Sequence, residues 1–103
     1  MLVQQNKYDN DTIVTFKLVN GDEVVAKVVE DKIDRYVISK PCSVMPAAQG
    51  IGLVQSLFTS DLEKTVELDK RHVMFHTPTI KQVEAYYIQT TTGIEPVTNK
   101  IIT

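Results

Sequence analysis

Two histidines stand four residues apart, His72 and His76, the spacing that on a helix would bring two imidazoles to one metal ion. The run His72-Val-Met-Phe-His76 is apolar and closely followed by Pro78, which favours a strand. Four residues of strand span about 13 Å, too far for two rings to share an ion, so no metal site is expected and the pair reads as surface or pore histidines. Cys42 is the only cysteine, which excludes an internal disulfide and fits a reducing compartment. It has no nucleophile motif around it and reads as a small buried residue after Pro41. The carboxylates Asp22-Glu23, Glu30-Asp31 and Asp61-Glu63 would make an acid–base pair on paper, but all fall in or beside expected turns, where solvated acids are ordinary. Gly50-Ile51-Gly52 has neither the third glycine of a dinucleotide fingerprint nor the Gly-Lys-Ser/Thr of a P-loop and reads as a loop. No catalytic residue and no cofactor are therefore expected. One basic cluster remains, Lys70-Arg71-His72.

The elements that would position these residues are mostly strands. Thr12 to Val19 alternates, with Val14, Phe16 and Leu18 on one face and Thr15 and Lys17 on the other. Asn20-Gly21 follows, two residues that tolerate the positive φ of a type I′ hairpin turn. Glu23 to Val29 continues as a second strand, with Val24, Ala26 and Val28 on one side and Val25 and Val29 on the other. After a charged turn over 30–34, Arg35 to Ser39 reads as a third strand, and Pro41 marks an edge, a bulge or the strand's end. Leu53 to Phe58 reads as a strand, Thr59 to Glu63 as a turn, and Thr65 to Leu68 and His72 to His76 as the last strands.

The pattern changes at Thr77-Pro78-Thr79. Thr79 and Gln82 have capping-box spacing, and Ile80, Val83 and Tyr87 form a helical stripe ending before Gly93. The expectation is a mainly β domain over 1–103: a small, strongly bent barrel of five to six strands over about 11–76, a C-terminal α-helix over about 79–90 and a tail over 94–103.

Composition sets outer limits. With 103 residues, 43% apolar and 23% charged, the chain has the profile of one globular domain and not of a disordered one. No apolar run reaches the roughly 18 residues a membrane span needs, and residues 1–7 lack the apolar core of a signal peptide, so a cytoplasmic protein without membrane contact is expected. The net charge of −2 argues against a generic polyanion binder.

Phe16-Lys-Leu-Val-Asn-Gly-Asp-Glu-Val-Val-Ala26 resembles the first motif of Sm-like proteins, through Leu18, Asn20, Gly21, Val24 and Ala26, with Ala26 where the family usually has Gly. Leu68 to Phe75 resembles the second motif, in which a strand breaks briefly and resumes as the final strand. The resemblance spans residues 12 to 76, and the barrel followed by a helix is similar to the small Sm-like proteins of tailed phages, cyanophages especially. It implies a homo-oligomeric ring of about five to seven copies, because the family pairs its open strand edges between neighbours. Leu53, Leu57, Val66, Leu68, Val73 and Phe75 are the interface residues this implies. It also places Lys70, Arg71 and His72 at the pore, where symmetry would repeat the cluster once per subunit, with RNA as the implied partner. Lys32 and Tyr36 fall near the positions of the family's Asp and Asn, and Tyr36 would stack on a base in place of the Asn. Asp69-Lys70 stands where the family has Arg-Gly, so the base-reading set is not reproduced. The other expectation is a ring that binds phage or host proteins and no nucleic acid.

Overall fold

The computed structural model describes residues 7–92. Six antiparallel strands form one bent sheet: β1 (Thr12–Leu18), β2 (Glu23–Asp31), β3 (Arg35–Ala47), β4 (Gly50–Gln55), β5 (Val66–Asp69) and β6 (Val73–Pro78). A short 3₁₀ turn, Lys70–His72, joins β5 to β6, and one helix, α1 (Lys81–Thr91), follows. The strand order is β4-β3-β2-β1-β6, with β5 paired to the first part of β3. The long β3 therefore serves two partners on one side, Arg35 to Ile38 against β5 and Cys42 to Ala47 against β4. The expected tail over 94–103 lies outside the described residues.

The β1–β2 hairpin forms as the alternation predicts, but its turn is not type I′. Only Gly21 takes a positive φ, 96°, while Asn20 stays on the ordinary side. The Gly21 amide donates to the Leu18 carbonyl at 2.9 Å and the Leu18 amide to the Asp22 carbonyl at 2.8 Å. This makes a three-residue loop, a turn followed by a left-handed glycine, which needs positive φ at one position where type I′ needs two. Asn20 contributes through its side chain, accepting from the Asp22 amide at 3.0 Å.

Two bulges in the β2–β3 pairing decide which face the residues of these strands occupy. Opposite Ala26, β3 carries both Lys40 and Pro41, and Lys40 takes φ 49°. The bulge switches parity, so Tyr36 and Ile38 face the barrel interior while Cys42 faces the other side beside Val25. Pro41 thus marks a bulge inside a strand that continues to Ala47, and the third strand is longer than the sequence suggested. The second bulge, at Val29, pairs Asp31 with Tyr36 and turns the carboxylate inward.

The interior face carries Val14, Phe16, Ala26, Val28, Tyr36 and Ile38, with Leu18, Val66, Leu68 and Val73 half-buried around them. The opposite face carries Ile13, Val25, Cys42 and Leu53, covered by Tyr87 and Val83 of α1. Each full burial of a side chain of this size is worth about 1.5–3 kcal/mol. The two-sided apolar pattern of β2 follows from this layering: Val24, Ala26 and Val28 serve the barrel, and Val25 serves the helix.

Tyr87 anchors the helix through its hydroxyl as well as its ring. Tyr87, 2% exposed, puts its hydroxyl into the Lys40–Pro41 bulge. It accepts from the Lys27 amide at 3.2 Å and shares its proton between the carbonyls of Ser39 (2.8 Å) and Lys40 (3.0 Å), groups that the broken ladder leaves unpaired. The expected stripe is shorter by one residue, since Ile80 is 64% exposed. The expected capping box does not form. Ile80 is the N-cap, without a side-chain bond, and Thr79 lies before it, with its hydroxyl 2.8 Å from that of Thr15. Pro78 ends β6 and does not open the helix.

The Gly50-Ile51-Gly52 loop expectation also fails. These residues begin β4, after a turn at Ala48-Gln49, and the strand expected over Leu53–Phe58 is displaced to Gly50–Gln55. Periodicity misses this because glycines break the apolar alternation without breaking the backbone ladder.

Candidate functional site: the 3₁₀ turn and the β6 edge

The sequence's basic cluster occupies the 3₁₀ turn, but its charges are partnered. Asp69 caps the turn, accepting from the Arg71 amide at 2.8 Å, and its carboxylate holds the Arg71 guanidinium at 2.7 Å from Nη2. These bonds keep the Asp69 carboxyl well below the usual range. The Lys70 ammonium lies 2.7 Å from Asp31 Oδ1 and 4.6 Å above the centre of the Tyr36 ring. Arg71 still leaves 85% of its side chain exposed, and His72 is exposed beside it. An open cavity of about 610 Å³ borders the turn, lined by Ile33, Asp34, Asp69, Lys70 and Arg71.

Of the residues expected at a nucleic-acid site, the structure brings Tyr36 and Lys70 together but leaves no stacking face. Tyr36 is 4% exposed and packs against Phe16, ring centres 5.0 Å apart. Burial pushes its hydroxyl up to about 12, with Asp31 and Tyr8 adding to the shift. Lys32 is drawn elsewhere, with its Nζ 3.9 Å from Glu30.

Asp31 was expected to be a solvated turn residue and is instead buried, with 4% of its side chain exposed. One carboxylate oxygen takes Lys70 and the other accepts the Tyr8 amide at 2.9 Å. Burial pushes this carboxyl up, but those two bonds and the nearby ammonium groups outweigh it and hold it below its ordinary value. The bulge at Val29 hid this residue from sequence reasoning, because simple alternation would put Glu30 inward.

The second feature is the β6 edge. Among the described residues β6 pairs with β1 alone, and every residue from Met74 to Pro78 is exposed. Met74 is 54% and Phe75 65% exposed. The Thr79 amide donates to the Ile13 carbonyl. By alternation, 15/77 and 17/75 are then hydrogen-bonded pairs, whereas at 16/76 and 14/78 the β6 backbone points away from the sheet. Pro78, with no N–H to leave unpaired, suits that outward position.

The expected interface residues divide among three surroundings. Phe75 and Leu57 (42%) are exposed. Val66, Leu68 and Val73 are half-buried against the barrel core. Leu53, 6% exposed, lies in the core beneath α1 and forms no surface; alternation could not tell that a helix covers it.

Cys42 is buried, with its thiol pushed up to about 11 by desolvation, as its reading as a small core residue predicts. His76 lies on β6 with Nδ1 2.7 Å from the Tyr8 hydroxyl, and His72 lies on the turn, so the two do not share a helix face. Among the described residues, no three His, Cys, Asp or Glu side chains converge as metal ligands, and no helix is long and apolar enough to cross a membrane.

No family model matches the chain, and no curated protein is significantly similar to it.

Proposed function

We propose that this chain is a non-enzymatic, Sm-like assembly protein that pairs its β6 edge with a strand edge of a neighbouring copy to close a ring of about five to seven subunits. The observation that carries this reading is the β6 edge itself. An exposed strand whose outward backbone groups have no partner among the described residues, and which carries Met74 and Phe75 into solvent, is a template for strand addition. Charge is one device that blunts such edges, and Val73-Met-Phe-His-Thr-Pro78 holds no Lys, Arg, Asp or Glu. Its proline and its bulge at Met74 limit the open stretch at either end and leave His76 between them.

The ring's work is better read as binding protein than as reading bases. Lys70 and Arg71 are each held by a carboxylate, Tyr36 is buried, and neutralised pairs release few counterions from a nucleic acid. A second reading, single-stranded RNA at the pore, is favoured by the exposure of Arg71 and His72 beside the cavity at the turn.

Light scattering coupled to size exclusion, with the 260/280 nm absorbance ratio of the same peak, tests both. The expected result is a ring-sized mass without excess 260 nm absorbance, reduced to monomer by Phe75→Lys. A monomeric wild-type chain would overturn the ring, and a ring carrying excess 260 nm absorbance would favour the RNA reading.

A further inference from the structure

The described residues ahead of β1, 7–11, bring Tyr8 against the barrel core and against β6 at once. The chain reverses direction over Asp9 to Asp11, where Asp11 takes φ 73° and donates its amide to the Val28 carbonyl at 2.7 Å. Thr12 fixes the reversal by donating both its amide (3.2 Å) and its hydroxyl (2.7 Å) to the Asp9 carbonyl. The reversal lays Tyr8 back across one mouth of the barrel. There the Tyr8 ring centre lies 6.2 Å from that of Tyr36 and 5.6 Å from that of His76.

The polar contacts at this mouth join three separate parts of the chain. Tyr8 donates its amide to Asp31 Oδ2 at 2.9 Å, and its hydroxyl meets His76 Nδ1 at 2.7 Å. Lys70 takes the other Asp31 oxygen at 2.7 Å. One buried carboxylate at the end of β2 thus holds both the N-terminal segment and the turn that launches β6, while Tyr8 holds β6 itself. β6 needs such support, because β1 is its only strand partner among the described residues and a bulge loosens that pairing at Met74.

We propose that Tyr8 is a strap that sets the position of the β6 edge, so that docking of the N-terminal segment gates self-assembly. The gating rests on the edge-pairing reading above. Its physical basis is entropic. A strand held in register presents its outward His76 backbone groups ready to pair, whereas a frayed strand must be ordered during association, at a cost in conformational entropy.

The test uses Tyr8→Ala, which removes the strap's ring, and Tyr8→Phe, which keeps the ring and deletes only the hydroxyl at His76. Amide hydrogen exchange is read at Phe75 and Thr77, which bond to β1, against the amides of β2, at a protein concentration too low for assembly. Self-association is read by light scattering over a concentration series. The expected result for Tyr8→Ala is about tenfold faster exchange in β6 with β2 unchanged, a matching weakening of association, and a smaller change of the same kind in Tyr8→Phe.

Unchanged β6 exchange overturns the strap. So does a rise in β2 and β6 together, which would make Tyr8 an ordinary contributor to global stability. Faster β6 exchange with unchanged association overturns the gating. A wild-type chain that stays monomeric at every concentration overturns the edge-pairing reading and the gating with it, and the exchange data then decide the strap alone.

Discussion

Phe16 and Phe75 sit on neighbouring strands, one register step apart: Phe16 faces His76 across the ladder, and Phe75 faces Lys17. Phe16 is fully buried and packs on Tyr36, while Phe75 is 65% exposed. Both lie in stretches that read as strand, Phe16 on the apolar face of an alternating one and Phe75 in a continuous apolar run, and the second pattern does not say which way its ring points. What separates them is parity and position in the sheet. Phe16 points into the barrel from a strand with partners on both sides, and Phe75 points the other way from an edge. An aromatic side chain is a core residue or a contact surface according to what lies beside its strand, and only the second is available to a partner.

The contrast is sharpest if each ring is removed. Phe16→Ala is expected to cost about 3–5 kcal/mol, read as a shift of the urea midpoint, because the barrel cannot collapse around the space left. A cost below about 1 kcal/mol would mean that the interior is far looser than its burial indicates.

Next in size is Asp31→Asn, expected to cost about 1–3 kcal/mol near neutral pH by leaving Lys70 and the Tyr8 amide without their anion. The cost should shrink in acid. The carboxyl is lowered in the folded protein relative to an ordinary 3.8, so the folded chain holds that proton less tightly than the unfolded chain. Its contribution is complete above the unfolded value and is lost as pH falls through the folded one. Unfolding at pH 6 and at pH 3 checks this: the gap between wild type and Asp31→Asn should narrow at pH 3. Asp69, lowered by its bonds to Arg71, destabilises both proteins alike in acid and does not affect the gap. A gap independent of pH would show that the carboxylate's charge is not what holds the mouth together.

The smallest effect belongs to Phe75→Ala. The monomer should lose no more than about 0.5 kcal/mol, since the ring is already in water. Its self-association should weaken nonetheless, and a large loss of monomer stability would erase the distinction between the two phenylalanines.

The site was less legible in sequence than the strands around it. The Lys70-Arg71-His72 cluster was visible as a run of like charge, but its neutralisation was not. Asp69 is adjacent and readable, whereas Asp31 reaches Lys70 from 39 residues away through a bulge and a strand pairing. Tyr36 was readable as an aromatic on a strand, and only its three aromatic neighbours, Tyr8, Phe16 and His76, show that it has no free face. Tyr8 carried no signal at all, because it lies in a polar segment without periodicity ahead of the first strand.

By itself the sequence determined the elements whose causes are local. The alternation of Thr12–Leu18 and of Val24 to Val28, the glycine at position 21 and the switch to helical spacing after Pro78 each act within a few residues, and each appears where expected. Tertiary structure alone decided the parity changes at Lys40–Pro41 and Val29, the burial of Asp31, the covering of Leu53 and the anchoring of α1 by Tyr87. A bulge is fixed by the fit between two distant strands and by a group that satisfies the backbone it exposes. Here that group is the Tyr87 hydroxyl, 47 residues from the Lys40 carbonyl it bonds. No local pattern carries that information, because the energy that selects the bulge exists only once the sheet and the helix have met.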